Sequence, residues 1–239
     1  MACFAIITAG GVGLRVGCEK PKQFIEVFNK PLIIYTLEKF QNNKNISKII
    51  VPCVIGYEQE LNLLKHKYGI TKLIKIVQGG KTGFDSIYNA LQFIKNYAVD
   101  DDIIVIHDGN RPNVSDKIIN ENVLIAQEKG NCITSLPVSE VVYDVFEGVP
   151  KLLNRDNLRK VQTPISGLFK ELFFLYETAM HEGHTNLQGY CSLLSFYNRD
   201  IYFCNGSEEN IKITYPEDFK VFTAMRLLAE SNLKPERTN

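Results

Sequence analysis

The chain has 239 residues, 45% of them hydrophobic, and its 27 Lys+Arg balance 27 Asp+Glu to a formal net charge of zero. That length buries a sizeable core, while the balanced charge argues against a protein devoted to coating nucleic acid or an anionic membrane, since both need net positive potential. No apolar run approaches the roughly 20 residues of a membrane span, and the chain opens on a strand pattern instead of a basic and apolar leader, so a cytoplasmic protein is expected.

Apolar runs near residues 3–8, 48–53, 73–77, 102–106 and 131–137 read as strands. Helical spacing fills the gaps: Leu32, Ile33, Tyr35, Leu37 and Phe40; Leu61, Leu63 and Leu64; Ile87, Leu91, Phe93 and Ile94; then Ile118, Ile119, Val123, Leu124 and Ala126. Short buried strands alternating with helices predict an α/β fold, a Rossmann-like, mostly parallel sheet covered by helices on both faces. Ligands of such sheets bind beyond the carboxyl ends of the strands. The glycine loop after the first strand falls there, as do "VQGGKTGFDS" and "IHDGNRP".

The alternation changes character after Pro137. "VSEVVYDVFEGVPKLLNRDNL" turns at Gly148 and Pro150 and has no obvious place for its apolar residues in the main sheet. It reads as a protruding β-ribbon arm over 138–160 that meets a second subunit; the alternative is a solvated hairpin folded on its own domain. Helical spacing resumes at 168–180, a strand returns near 201–204, and "YPEDFKVFTAMRLLAE" opens a last helix with proline and acids in its first turn. No repeat divides the chain, so 1–239 is expected to be one domain carrying the arm. The six cysteines (Cys3, Cys18, Cys53, Cys132, Cys191 and Cys204) form no CxxC pair and read as reduced, small hydrophobes. "HEGH" at 181–184 lacks further ligands at a recognised spacing and is given no metal role.

Three phosphate-loop readings compete for "IITAGGVGLRVGCEKPKQF". A dinucleotide loop needs a third glycine where Val16 stands, and Lys20-Pro21 prevents an immediate helix, so that reading fails. "GGKT" at 79–82 resembles the end of a Walker A loop, but Lys75 occupies the place of its first glycine. The third reading is a nucleotidyltransferase loop, in which glycines let backbone N–H groups approach a triphosphate and Arg15 and Lys22 face the charge at the α-phosphate. A structural glycine turn with surface cations remains open at this point.

The order of the blocks decides among them. "GGVGLRVG…KPKQF…KPLIIYTLEKF", "QGGKTGFDSIYNAL", "IHDGNRP", "NRDNL…QTP" and "NIKITYPEDF" follow one another at spacings that resemble the cytidylyltransferases acting on methylerythritol phosphate or ribitol phosphate, over about residues 3 to 229. The resemblance implies attack by a polyol-phosphate oxygen on the α-phosphorus of CTP, with pyrophosphate leaving, in a nucleotidyltransferase-type fold. It implies Arg15, Lys22 and Lys212 as catalytic residues. Ala9, Gly10, Gly11, Gly13, Gly80, Ser86, Asp108 and Arg111 would contact CTP. Asp108, Arg155 and Thr163 would contact the acceptor, with Asp108 also holding Mg2+. It further implies a homodimer through the arm, so that Arg155 serves a site shared between subunits. The product would be a CDP-alditol for wall or capsule polymers.

Several departures from the family pattern lie toward the acceptor. Glu140-Val141 stands where Asp-Thr is usual, and "QGYCSL" stands near the place of a Thr-Asp-Glu block; Gly83 is the exception, replacing an arginine commonly present after the double glycine, beside the CTP site. Ribitol phosphate, or a smaller alditol phosphate such as glycerol phosphate, is therefore the expected acceptor, with methylerythritol phosphate second. Readings of other kinds are an inactive nucleotide-binding relative, a sugar nucleotidyltransferase using another NTP, and a nicotinamide-dependent reductase, which the missing third glycine disfavours.

Overall fold

The structure is a computed structural model that describes residues 1–11 and 20–231. In chain order, β1 (Cys3–Thr8) leads to a small hairpin of β2 (Glu26–Val27) and β3 (Lys30–Pro31), and then to α1 (Leu32–Asn42). Next come β4 (Lys48–Cys53), α2 (Glu58–Lys67), β5 (Leu73–Gln78), α3 (Gly83–Ile94), β6 (Ile103–Asp108), α4 (Asp116–Lys129) and β7 (Asn131–Pro137). The remainder is β8 (Val142–Asp144), β9 (Lys151–Leu153), β10 (Arg159–Leu168), α5 (Phe169–Glu182), α6 (Tyr190–Phe196), β11 (Phe203–Asn205) and α7 (Pro216–Glu230).

Seven strands form the main sheet in the order β11-β7-β10-β6-β1-β4-β5. β1 pairs in parallel with β4 and β6, β4 with β5, and β11 with β7, whereas β10 runs antiparallel to both β6 and β7. The expected mostly parallel sheet is thus present, and its helices cover both faces. Ala5, Ile7, Ile49, Val51, Ile103 and Val105 pack with α1 and α4, and the alternate residues Phe4, Ile6, Ile50, Ile104 and Ile106 pack with α3 and α5. Two buried faces explain why these strands read as continuous apolar runs.

β10 is the strand that the apolar pattern does not announce. Its sequence, RKVQTPISGL, is polar and holds Pro164 and Gly167, residues that argue against a central strand. The sheet accommodates Pro164 with a register break between Val161 and Ile165. There the Pro164 carbonyl leaves the ladder and accepts from Thr134 Oγ1 (2.7 Å) and Asn122 Nδ2 (3.0 Å) instead. That bulge turns Thr163 toward the carboxyl end of β6.

β8 and β9 pair only with each other. The segment around them leaves Tyr143, Phe146, Val149 and Leu152 exposed, Phe146 to 78%, an exposure common to an arm and to a solvated hairpin. The boundary expected at residue 160 moves inward, because Arg159 and Lys160 already pair with Pro137 and Leu136 of the main sheet. Among the described residues no helix is long and apolar enough to cross a membrane.

Candidate active site

The carboxyl ends of β1 and β6 bring Thr8 and Asp108 into register as neighbours. Asp108 sits between two cations. Arg111 Nε donates to its Oδ2 at 2.9 Å, and Lys212 Nζ donates to its Oδ1 at 3.1 Å. Arg111 is held from behind by its Nη1, which donates to the Asn210 carbonyl at 2.8 Å. Lys212 reaches the site from a loop between β11 and α7, pinned by mutual bonds between Asn110 and Ile213. Burial opposes ionisation of Asp108, but Lys212 and then Arg111 more than offset it and hold the carboxyl at about 2. The carboxylate is therefore charged at any working pH.

Beneath Asp108 lies His107, fully buried. Its Nε2 is 3.1 Å from the Arg111 carbonyl, which can only accept, so Nε2 carries the proton. Nδ1 then accepts from the Thr163 hydroxyl at 3.0 Å, and that hydroxyl accepts the Asp108 N–H at 3.1 Å. Thr163, expected at the acceptor, thus has its hydroxyl proton engaged by His107 and positions the backbone of Asp108. Burial lowers the His107 pKa from 6.5 to about 4. Between those values the unfolded chain binds more protons than the folded one, so acidification from 6.5 to 4 removes up to about 3 kcal/mol of stability. Any contribution from Asp108 is lost only lower, from 3.8 to about 2. Urea unfolding at pH 7 and at about pH 4.5 measures this slope. His107→Gln should flatten it, and an unchanged slope in that variant contradicts the buried neutral imidazole.

Two adjoining cavities meet at Asp108. The smaller, about 280 Å³, is lined by Gly10, Gly11, Lys22, Gly80, Lys81 and Ser86, among others. The larger, about 620 Å³, extends over Phe84, Ile87 and Ile165 to the segment 185–190. Thr8, Thr82, Gly83, Asp108 and Lys212 border both. The smaller cavity exists because two backbones touch. A Cβ on Gly79 would lie 2.8 Å from the Cys53 carbonyl and 3.1 Å from Gly10 Cα, and one on Gly10 would lie 2.8 Å from Ser86 Oγ. Ser86 fastens this loop, accepting the Gly80 N–H (3.0 Å) and donating to the Thr82 carbonyl (2.9 Å). Thr82 and Asp85 then cap α3 reciprocally, directing its N-terminus at the junction of the cavities.

Of the residues expected at the site, Gly10, Gly11, Lys22, Gly80, Ser86, Asp108, Arg111, Thr163 and Lys212 are brought together. Gly13 and Arg15 lie outside the described residues. Ala9 is different: its N–H donates to the Pro52 carbonyl (2.9 Å) and its carbonyl accepts from Val54 (3.0 Å), so its backbone is engaged by the neighbouring strand. Arg155 and Val141 are exposed and border neither cavity; Arg155 Nη1 donates to the Ser139 carbonyl at 2.8 Å. Gly83 stands in open space, with nothing within 4 Å of the point a Cβ would occupy, so the backbone there does not demand glycine. Sequence reasoning assigned no role to Lys81 or His107, although both stand inside the quoted blocks "QGGKTGFDSIYNAL" and "IHDGNRP". His184 of "HEGH" packs at a tilt against Phe196, and no cluster of three potential metal ligands occurs among the described residues.

Comparison with known proteins gives this geometry its context. Residues 3–227 match the family model described as IspD: 2-C-methyl-D-erythritol 4-phosphate cytidylyltransferase. The chain belongs to the IspD family. One relative of this IspD-family chain, a ribitol-5-phosphate cytidylyltransferase from Vibrio parahaemolyticus serotype O3:K6, is 40% identical over 224 residues, covering 92% of this chain and 94% of the relative. A 2-C-methyl-D-erythritol 4-phosphate cytidylyltransferase from Bacillus cytotoxicus is 34% identical over 233 residues, covering 97% and 98%. Among solved structures, the 4-diphosphocytidyl-2C-methyl-D-erythritol synthase of Anaerococcus prevotii superposes with a TM-score of 0.80 at 25% identity, covering 95% of this chain and 96% of that one. As an IspD-family member, the chain is a cytidylyltransferase, and the nicotinamide and hexose-phosphate readings fall away.

Proposed function

We propose that this chain transfers CMP from CTP to ribitol 5-phosphate, forming CDP-ribitol and pyrophosphate. The observation that carries this reading is the Asp108 carboxylate, held between Lys212 and Arg111 where a glycine-walled cavity meets a larger one. The smaller cavity takes the triphosphate, with backbone N–H groups, Lys22 and Lys81 facing its charge. The larger takes the acceptor. An oxygen of the acceptor phosphate attacks the α-phosphorus, and the bond to the bridging oxygen of pyrophosphate breaks. Such a transfer needs alignment and charge neutralisation more than a covalent nucleophile. Lys212, 46% exposed and already at Asp108, can turn to the α-phosphate as the charge there grows.

The donor set fits Mg2+ held through one carboxylate and substrate phosphates: Asp108 supplies a single ionised, hard-oxygen ligand at the junction. When bound, the ion would neutralise phosphate charge, and Asp108 would hold it and orient the acceptor. The exposed ribbon supports a homodimer, in which Arg155 reaches the acceptor phosphate of the partner subunit's site with paired guanidinium donors. We place the enzyme in the cytoplasm, supplying an activated alditol for wall or capsule polymers.

The relatives at 35–40% identity named for ribitol 5-phosphate support this acceptor. The family description and the relatives named for methylerythritol phosphate support a second reading, with that compound as acceptor. Measuring kcat/KM with CTP and magnesium against ribitol, glycerol, arabinitol, erythritol and methylerythritol phosphates separates them. Ribitol 5-phosphate should be preferred, and preference for methylerythritol phosphate overturns the choice of acceptor.

A further inference from the structure

The larger cavity has a part that the smaller does not share, and its polar groups come from few places. Its floor is apolar, made by Phe84, Ile87, Ile106 and Ile165. Thr163 lies there too, but its hydroxyl is engaged by His107 and the Asp108 N–H. The Tyr190 phenol is buried against Gly167. The remaining polar side chains, Thr185, Asn186 and Gln188, all belong to the short connection between α5 and α6, and none bonds to another described residue. Asn186 and Gln188 are exposed and Thr185 half-buried, so this stretch of the wall presents a hydroxyl and two carboxamides that are open to a ligand above an apolar floor.

We infer that Asn186 and Gln188, with Thr185 beside them, read the hydroxyl groups of the acceptor's carbon chain and set its preferred length. This rests on the assignment of the larger cavity to the acceptor under the proposed function. Each carboxamide offers both a donor and an acceptor, which matches a hydroxyl that does the same. With the acceptor phosphate fixed at the Asp108 junction, the carbon chain extends over Ile106 and Ile165, and its distal hydroxyls meet this segment. A shorter acceptor lacks those hydroxyls and gains nothing from it.

The test uses the full chain and its Asn186→Ala, Gln188→Ala and double variants, with saturating CTP and either ribitol 5-phosphate or glycerol 3-phosphate. Asn186 and Gln188 are exposed, so the variants should melt as the wild type does. The acceptor KM for ribitol 5-phosphate should rise about three- to tenfold per residue, while kcat and the KM for CTP hold. The preference for the five-carbon over the three-carbon acceptor should fall by the same factor. An active wild type whose variants keep both KM and preference overturns the inference but leaves the proposed function standing. If methylerythritol 4-phosphate proves to be the acceptor, the same variants are read on its KM, and an unchanged value again overturns the inference. A wild type silent on every acceptor overturns both.

Discussion

Replacing Asp108 with asparagine should lower kcat/KM about a hundredfold to a thousandfold and destabilise the fold at the same time. Among the described residues, this carboxylate alone forms ion pairs with Lys212 and Arg111, at 3.1 and 2.9 Å. Asparagine keeps the shape but leaves both cations uncompensated. The cost falls chiefly on Arg111, whose side chain is only 11% exposed, and losing one partner of a buried pair costs about 3 kcal/mol. Lys212, half in solvent, rehydrates at little cost. The double variant Asp108→Asn with Lys212→Ala should therefore lose no more stability than Asp108→Asn alone, while remaining inactive. Denaturant unfolding and steady-state kinetics check the two effects separately. Asp108→Asn activity close to that of the wild type would remove this carboxylate from the chemistry.

Lys22→Ala should lower kcat by about two orders of magnitude with a smaller change in the KM for CTP. Lys22 opens a single 3-10 turn, Lys22–Phe24, whose position is fixed on either side. Phe24 is fully buried, and Gln23 Nε2 donates to the Gly11 carbonyl at 3.0 Å, tying this turn to the glycine loop. The ammonium is therefore carried on a preorganised backbone beside the smaller cavity. A cation that matters mainly as charge grows on the transferring phosphoryl group shows itself in kcat, whereas one that merely gathers CTP shows itself in KM. A rise in KM of about tenfold with kcat intact would assign Lys22 to nucleotide capture alone.

Much of the scaffold was legible because the strands are buried on both faces. Phe4 to Ile7 and Ile103 to Ile106 could be read as parallel strands without any partner in view. β10 was illegible for the opposite reason. Pro164, Gly167 and the polar residues around them disguise a strand whose bulge carbonyl is satisfied by Asn122 and Thr134, residues 42 and 30 positions away. At the site, residues inside the ordered sequence blocks were legible: Asp108 at a strand end and Lys22, Gly80 and Lys212 in turns and loops all border the cavities. Residues acting through others were not. His107 orders Thr163 and so the backbone of Asp108, a relation that no local pattern encodes. Ala9 sits in the glycine-rich run yet has its amide taken by the chain at the end of β4, because pairing with that strand continues one residue past β1. The segment 185–190 was legible only at its end, where "QGYCSL" departs from the family pattern; Thr185 and Asn186 carry no motif, and their place on the cavity wall singles them out.

Transfer of CMP from CTP onto an alditol phosphate is tested most directly by incubating the purified chain with CTP, magnesium and ribitol 5-phosphate. The nucleotide product is identified by mass while pyrophosphate is counted. CDP-ribitol and pyrophosphate should appear in equal amounts, and both should form about a hundredfold more slowly with Lys22→Ala. Pyrophosphate released with CMP and no CDP-ribitol, or no turnover of CTP with any alditol phosphate, would contradict the proposed transfer.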